Sequence, residues 1–190
     1  MKINEMKDLL EASIPGKRFK HSVAVYETAL KMAEHFNCDM EKVGIASLLH
    51  DCGREVATKE SVAWAQAHDL PVDEIEANQP ILLHSKIGMV IAKEKYGVSD
   101  LEILDAIRYH TTGTSGMTDI AKIVFLADII EPNRDYPGVD DLRKASFKNL
   151  DKAMLMAYSN TTTYLFESEL LVHPNCIKGY NELVLQAKKK

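Results

Sequence analysis

Seven histidines and a few well-placed carboxylates carry most of the chemical information in this 190-residue sequence. On a helix, residues three, four and seven apart share a face. By that rule His21 shares a face with Ala24, Val25 and Thr28, and His50 with Val43, Ala46 and Ser47. His84 lines up with Ile87, Gly88 and Ile91, and His110 with Ile103, Ala106 and Ile107. Four helices therefore each carry one imidazole on the face expected to point inward. A single buried histidine is ordinarily a core residue bonded to a backbone carbonyl. Four in one small chain would repeat a polar desolvation cost each time unless they share a purpose.

Two aspartates supply such a purpose. Asp128 lies inside the apolar run from Ile123 to Ile130, with Phe125 and Val124 three and four residues back. An aspartate there is expected to be buried, and a buried carboxylate needs a cation. That cation is either a metal or an arginine such as Arg134 or Arg54. Asp51 follows His50 directly at a helix end and reads either as a loop residue or as a ligand. Beside His50 and Asp128, the ligand reading is favoured. Neutral imidazole with carboxylate is the donor set of Fe, Mn, Zn or Co rather than of Ca or a thiolate cluster. His21, His50, Asp51, His84, His110 and Asp128 suffice for two metals sharing a carboxylate, or for one metal with His84 and His110 left to hold phosphate. An ion of this kind with open positions acidifies a bound water and neutralises charge on a transferring phosphoryl group. His35 and His68 sit among polar residues and read as surface side chains. His173, before Pro174-Asn175, stays open as a loop residue or a substrate contact.

The elements that must position these groups read as helices throughout. Glycine and proline are few, nine and six, and fall mostly between periodic segments. The spacing predicts helices over about 4–12, 17–36, 40–49, 59–69, 72–78, 81–96, 100–110, 119–130, 150–170 and from Pro174 onward, with a short segment after Pro137-Gly138. Asp39 is the expected N-cap of the third, and Ser99 with Glu102 forms a capping-box spacing before His110. Nothing in the pattern calls for a sheet, a repeat or a second domain. One all-α domain over 1–190 is expected, with the metal ligands between about 17 and 134 and the helices of 150–188 packed on it. Lys188, Lys189 and Lys190 read as a solvated tail.

Composition narrows the function classes. Lys and Arg total 23 against 28 Asp and Glu, a net charge of −5, and 46% of residues are hydrophobic. This is the balance of a globular domain, and its acidity argues against a sequence-blind nucleic-acid binder. No stretch has the length and apolarity of a membrane span, and the first residues lack a signal-peptide core. Cys38, Cys52 and Cys176 are an odd number at non-chelating spacings, which fits a reducing cytoplasm and makes Cys52 a packing residue.

The order His21, then His50-Asp51, then Asp128 resembles the H…HD…D signature of the HD-domain metal-dependent phosphohydrolases. Longer blocks are similar to one branch of that superfamily, the YqeK-type symmetrical diadenosine tetraphosphate hydrolases. They are Lys17-Arg18-Phe19-Lys20-His21-Ser22, Leu48-Leu49-His50-Asp51, Leu83-His84, Ala106 to Gly113 and Leu126 to Arg134, and the likeness continues to His173-Pro174-Asn175. The resemblance implies an all-helical HD bundle with a divalent metal, iron by preference, on His21, His50, Asp51 and Asp128. His84 and His110 would hold a second metal or phosphate. The implied reaction splits diadenosine tetraphosphate at mid-bridge into two ADP, with Asp51, His84 and His110 at the reacting centre. A homodimer also accords with it. Cys52 departs mildly from the pattern without touching the ligand set.

Arginines close in sequence to the ligands are the expected phosphate contacts, since guanidinium grips phosphate in a bidentate fashion. Arg18 lies three residues from His21, Arg54 three from Asp51, and Arg134 six from Asp128. Thr111, with Thr112 and Gly113, forms either a phosphate or ribose contact or a plain helix-ending turn. Two other readings remain at this point: an HD-type phosphohydrolase of a deoxynucleotide or guanosine alarmone, and a nucleotide-binding regulatory module without turnover.

Overall fold

The computed structural model describes residues 1–189; Lys190, the last residue of the lysine tail, lies outside them. Lys188 and Lys189 are exposed, as a solvated tail requires. The described residues form α1 (Ile3–Ser13), α2 (Gly16–Phe36), α3 (Met40–Leu49), α4 (Ser61–Ala67), α5 (Glu74–Asn78) and α6 (Leu83–Glu94). They continue with α7 (Leu101–Tyr109), α8 (Asp119–Ile130), α9 (Val139–Ser146), α10 (Leu150–Glu167) and α11 (Pro174–Ala187). Short 3-10 turns at Cys52–Glu55, Thr58–Glu60 and Pro80–Leu82 join some of them, and no strand occurs among the described residues.

α8 is the axis of the molecule because its sequence is apolar nearly all round. Ile120, Ala121, Ile130 and every residue from Ile123 to Ala127 are buried. A helix without a polar face has to be surrounded, and α8 packs against α2, α3 and α7 on one side and α9 and α10 on the other. α3 is similarly enclosed, with Val43, Gly44 and Ala46–Leu49 buried. Gly44 lets the Tyr26 ring of α2 approach, since a Cβ there would lie 3.2 Å from it. α6 packs on α7 and on the 3-10 turn that follows His50-Asp51. The ends of α3, α7 and α8, the start of α6 and the flank of α2 thus converge.

The capping chemistry departs from the sequence reading in one place. α7 is capped by Asp100, whose carboxylate accepts from the N–H groups of Glu102 (2.9 Å) and Ile103 (3.4 Å). The Ser99–Glu102 box does not form because the Glu102 carboxylate binds Lys42 of α3 at 3.0 Å. Asp39 caps α3 as expected, accepting from Glu41 and Lys42. The segment 72–78 is shorter than expected because Asp73 and Glu76 make a capping box that starts α5 at Glu74. The 81–96 segment opens as the Pro80–Leu82 turn, and α10 stops at Glu167, before left-handed Glu169 (φ 54°).

Candidate metal centre

Three of the histidines sit at helix ends and are oriented by the same device. In each, Nδ1–H donates to the carbonyl three residues back: His50 to Ser47 (2.7 Å), His84 to Ile81 (2.5 Å) and His110 to Ile107 (2.7 Å). Ser47 and Ile107 lie in the last turns of α3 and α7, where carbonyls lack helical partners, and Ile81 lies in the turn that leads into α6; each bond fixes its imidazole. Because a carbonyl only accepts, Nδ1 must carry the proton and Nε2 is left to face inward. His50 caps the C-terminus of α3, His110 that of α7, and His84 lies in the first turn of α6. All three are buried.

His21 reaches the same place from inside α2, where the backbone carbonyls are already engaged. Its ring is held by two carboxylates at the C-terminal end of α8, Asp128 in the last turn and Glu131 at the cap. Nε2 lies 2.9 Å from Asp128 Oδ1, and Nδ1 lies 3.2 Å from Glu131 Oε1. Asp51 occupies the middle. Its Oδ1 is 3.2 Å from His84 Nε2 and 3.9 Å from His110 Nε2, and its Oδ2 is 4.0 Å from His50 Nε2. Asp51 is only 3% exposed, which excludes the plain loop reading for it.

Asp51 reaches this depth because the chain after it runs unusually close to α6. A Cβ on Gly53 would meet the His84 carbonyl oxygen at 2.0 Å and Gly88 N at 2.6 Å. The neighbouring Cys52 thiol is buried and donates to the Gly88 carbonyl at 3.3 Å. Burial pushes its pKa up, so it is a packing residue rather than a thiolate nucleophile.

The donor atoms fall into three overlapping groups, His21-His50-Asp51, His50-His110-Asp128 and Asp51-His84-His110, each with its atoms within 4.8 Å of one another. Two features show that this arrangement suits a cation. The buried His50 Nε2 has no hydrogen-bond partner, and a buried acceptor left alone is costly. His84 Nε2 and His110 Nε2 face each other at 3.0 Å, and with Nδ1 protonated on both rings they need a proton or a metal ion between them. Imidazole nitrogen and carboxylate oxygen are the donor set of a divalent first-row ion.

The electrostatics agree. Burial lowers His50, and burial together with the charges of His50 and His84 takes His110 down to about 3, so both stay neutral at physiological pH. Burial alone would raise Asp51 and Asp128, but the imidazoles around them, nearest His84 at Asp51 and His21 at Asp128, with Arg134 beside Asp128, hold both well below the usual carboxylate range. His21 is raised: desolvation opposes its charge, and the Asp128 hydrogen bond and charge outweigh it. At His50, His110, Asp51 and Asp128 the shifts thus run toward the neutral imidazole and ionised carboxylate that metal ligation needs, and at His21 the shift runs the other way.

The three expected arginines all lie at its rim. Arg18 Nη1 is 3.4 Å from Asp51 Oδ2, Arg54 Nε is 3.0 Å from Asp51 Oδ1, and Arg134 Nη2 is 2.5 Å from Asp128 Oδ1. Thr111 Oγ1 stands 3.2 Å from His84 Nε2 and 3.1 Å from His110 Nε2. Gly113 (φ 61°) then turns the chain against Tyr158, a conformation and a contact that only glycine accommodates.

His173 is placed elsewhere. It caps α11, with Nδ1 accepting from Asn175 N (3.2 Å), so Nε2 carries the proton and donates to Asp73 Oδ2 at 3.0 Å. That tautomer is the reverse of the one at the cluster, and Lys86 already satisfies the neighbouring Glu76 at 2.7 Å. His35 and His68 are exposed, as expected.

Two residues of the site escaped sequence reasoning. Glu131 is 3% exposed and touches His21, and its only sequence signal was a place inside the Leu126–Arg134 block. Arg143 of α9 bonds the carbonyls of Ile130, Glu131 and Arg134 at 2.9, 3.0 and 2.7 Å, pinning the turn that carries Glu131 and Arg134. No local pattern marks it, because its partners are backbone atoms.

Residues 18–133 match the HD domain family. A Bacillus subtilis protein named symmetrical bis(5'-nucleosyl)-tetraphosphatase is 38% identical, covering 88% of this chain and 89% of its own. A Staphylococcus aureus protein of the same name is 36% identical over 95% of both chains. Among solved structures, a Clostridium acetobutylicum protein described as a "predicted HD superfamily hydrolase involved in NAD metabolism" superposes with a TM-score of 0.93. It is 34% identical and covers 98% of each chain. The matched segment holds more than half of the chain and every member of the His21, His50, Asp51 and Asp128 cluster, and this protein belongs to the HD-domain family.

Proposed function

We propose that this protein is a metal-dependent hydrolase that cleaves diadenosine tetraphosphate symmetrically into two ADP. The observation that carries it is the convergence of His21, His50 and Asp51, whose donor atoms lie within 4.8 Å of one another, with Asp128, which stands 2.9 Å from His21 Nε2 and 4.0 Å from His50 Nε2. It stands in a chain closely similar to two symmetrical bis(5'-nucleosyl)-tetraphosphatases. His21, His50, Asp51 and Asp128 hold the metal in this reading, and His84 and His110, their inward nitrogens unprotonated, bind a second ion; a phosphate oxygen there requires a proton on one of those nitrogens. When bound, the ion supplies an acidified water and neutralises charge on the phosphoryl group.

The chain's own residues do the rest. Asp51 stands between the two halves of the cluster, His84 on one side and His50 on the other, and fixes their separation. Arg18 and Arg134 are 42% and 37% exposed at their side chains and open toward solvent. Together with Arg54 they grip the bridging phosphates and offset the charge that builds as ADP departs. Thr111 Oγ1, between the His84 and His110 nitrogens, donates to a phosphate oxygen seated there. His173 is included as a contact to the nucleoside end of the substrate, resting on the likeness of the His173-Pro174-Asn175 block.

Iron is the ion this reading names, supported by an imidazole and carboxylate donor set that also suits Mn, Zn and Co. Anaerobic purification with elemental analysis identifies it. A cytoplasmic setting is supported by the three free cysteines, two of them buried. No helix is long and apolar enough to cross a membrane among the described residues, and the net charge of −5 disfavours nucleic acid as a partner. Pairing with a second copy belongs to the same reading, and exposed Tyr164, Phe166, Leu170 and Leu171 are apolar side chains it would cover.

The test is a panel of dinucleoside polyphosphates, deoxynucleotides and guanosine alarmones offered to metal-loaded protein, with the products separated. ADP as sole product from diadenosine tetraphosphate is expected. Faster turnover of a mononucleotide would replace this substrate, and binding without product would make the protein a regulatory module.

A further inference from the structure

We propose that Glu131 is a positioning residue that holds His21 in ligand geometry and strengthens it as a donor. The inference rests on the reading of His21 as a metal ligand. His21 differs from the other three histidines in how its outer nitrogen is held. His50, His84 and His110 each spend Nδ1–H on a neutral carbonyl of their own helix end. His21 lies inside α2, so no free carbonyl is at hand, and its Nδ1 faces a carboxylate 110 residues away in sequence.

That carboxylate is itself fixed. Glu131 Oε2 accepts from Asn133 N (2.7 Å) and Asn133 Nδ2 (2.9 Å), which leaves Oε1 for His21 at 3.2 Å. Arg143 pins the Glu131 carbonyl from α9. Burying a glutamate to 3% exposure is costly unless its oxygens are satisfied, and here each has a defined partner. Glu131 stands one helical turn beyond Asp128, so one end of α8 grips both nitrogens of one imidazole. A carboxylate behind a ligating histidine fixes its tautomer and makes the inward nitrogen a better donor. A neutral carbonyl fixes the tautomer with less gain in basicity. His21 is therefore the strongest imidazole donor of the set, and its strength comes from Glu131.

The test uses full-length protein stripped of metal and titrated with Co²⁺ against a chelator, following visible absorption and bound metal. Glu131→Gln keeps the size and an acceptor for His21 while removing the charge. It also places an amide NH2 against Asn133. Its Co²⁺ affinity is expected to fall about 10- to 100-fold, with far-UV circular dichroism unchanged. Asn133→Ala, which frees Glu131 without removing it, is expected to fall less. Wild-type affinity in Glu131→Gln would overturn the proposal and leave the metal reading intact. So would a lowered Tm with unchanged Co²⁺ affinity and spectrum, because that is the signature of a purely structural role. Failure of the wild type to bind Co²⁺, or wild-type binding by His21→Ala, would instead overturn His21 as a ligand.

Discussion

Gly53→Ala tests whether the centre depends on how closely the turn after Asp51 approaches α6. The added Cβ would lie 2.0 Å from the His84 carbonyl oxygen, 2.6 Å from Gly88 N and 3.0 Å from Gly88 Cα. All three are backbone atoms, so no side chain can swing aside. Contacts under 3.0 Å do not occur at real Cβ atoms, and the turn and α6 must therefore separate by about 1 Å. Asp51 and His84 ride on those two segments, 3.2 Å apart. Metal sites tolerate about 0.2 Å in ligand distance, and a displacement of about 1 Å in a reacting group can cost about 100-fold in rate. Overpacking of this kind costs about 1–3 kcal/mol, which at this chain length lowers Tm by about 2–4 °C per kcal/mol. The assay is ADP release together with thermal unfolding. Gly16→Ala is the control, since a Cβ there meets nothing within 4 Å and its backbone is ordinary helix. Gly53→Ala with wild-type turnover and Tm would refute the reasoning.

Arg18→Ala is expected to keep the bound metal and weaken ADP affinity by about three- to tenfold, a half-exposed charged hydrogen bond being worth less than a buried one. Isothermal titration measures it, and unchanged affinity removes Arg18 from the substrate site. Metal-stripped protein is expected to lose stability on acidification. His50 and His110 are depressed in the folded state, His110 to about 3, whereas an unfolded chain titrates both near 6.5. Below pH 6.5 the unfolded state therefore binds more protons, and stability falls as pH falls. Asp51 and Asp128, also depressed, add a further loss once pH drops below about 4. His21, raised, acts in the opposite sense, its contribution being complete below 6.5 and lost as pH rises through its folded value. The two depressed histidines outweigh it, so Tm is expected to be lower at pH 5 than at pH 7, and the reverse order would contradict these shifts.

What was legible in the sequence was whatever has a local period or a local partner. The inward face of His21 and the Asp39 cap follow from neighbours within four residues, and the structure has both; Asp128, expected buried within its apolar helix, keeps its side chain 16% exposed at the mouth of the cluster. The capping of α7 was misread because the Glu102 carboxylate is drawn away by Lys42, 60 residues distant in sequence. Glu131 and Arg143 were invisible as site residues for the same reason. One serves an imidazole on α2, the other serves backbone carbonyls, and neither relation has a spacing to detect. The choice left open for Asp128 between a metal and an arginine was a real one, since Arg134 and the ligand histidines all converge on it. The need for glycine at position 53, set by the close passage of α6, has no local signal and required the fold.

The central claim is that one metal centre on His21, His50, Asp51 and Asp128 carries the hydrolysis. The direct measurement is a titration of metal-stripped protein with Fe²⁺ under anaerobic conditions, following bound metal and ADP release from diadenosine tetraphosphate in the same samples. ADP release should rise in proportion to bound metal and saturate with it, and Asp51→Ala should show neither tight binding nor turnover. Turnover by metal-free protein, or by an Asp51→Ala variant with wild-type metal content, would contradict it.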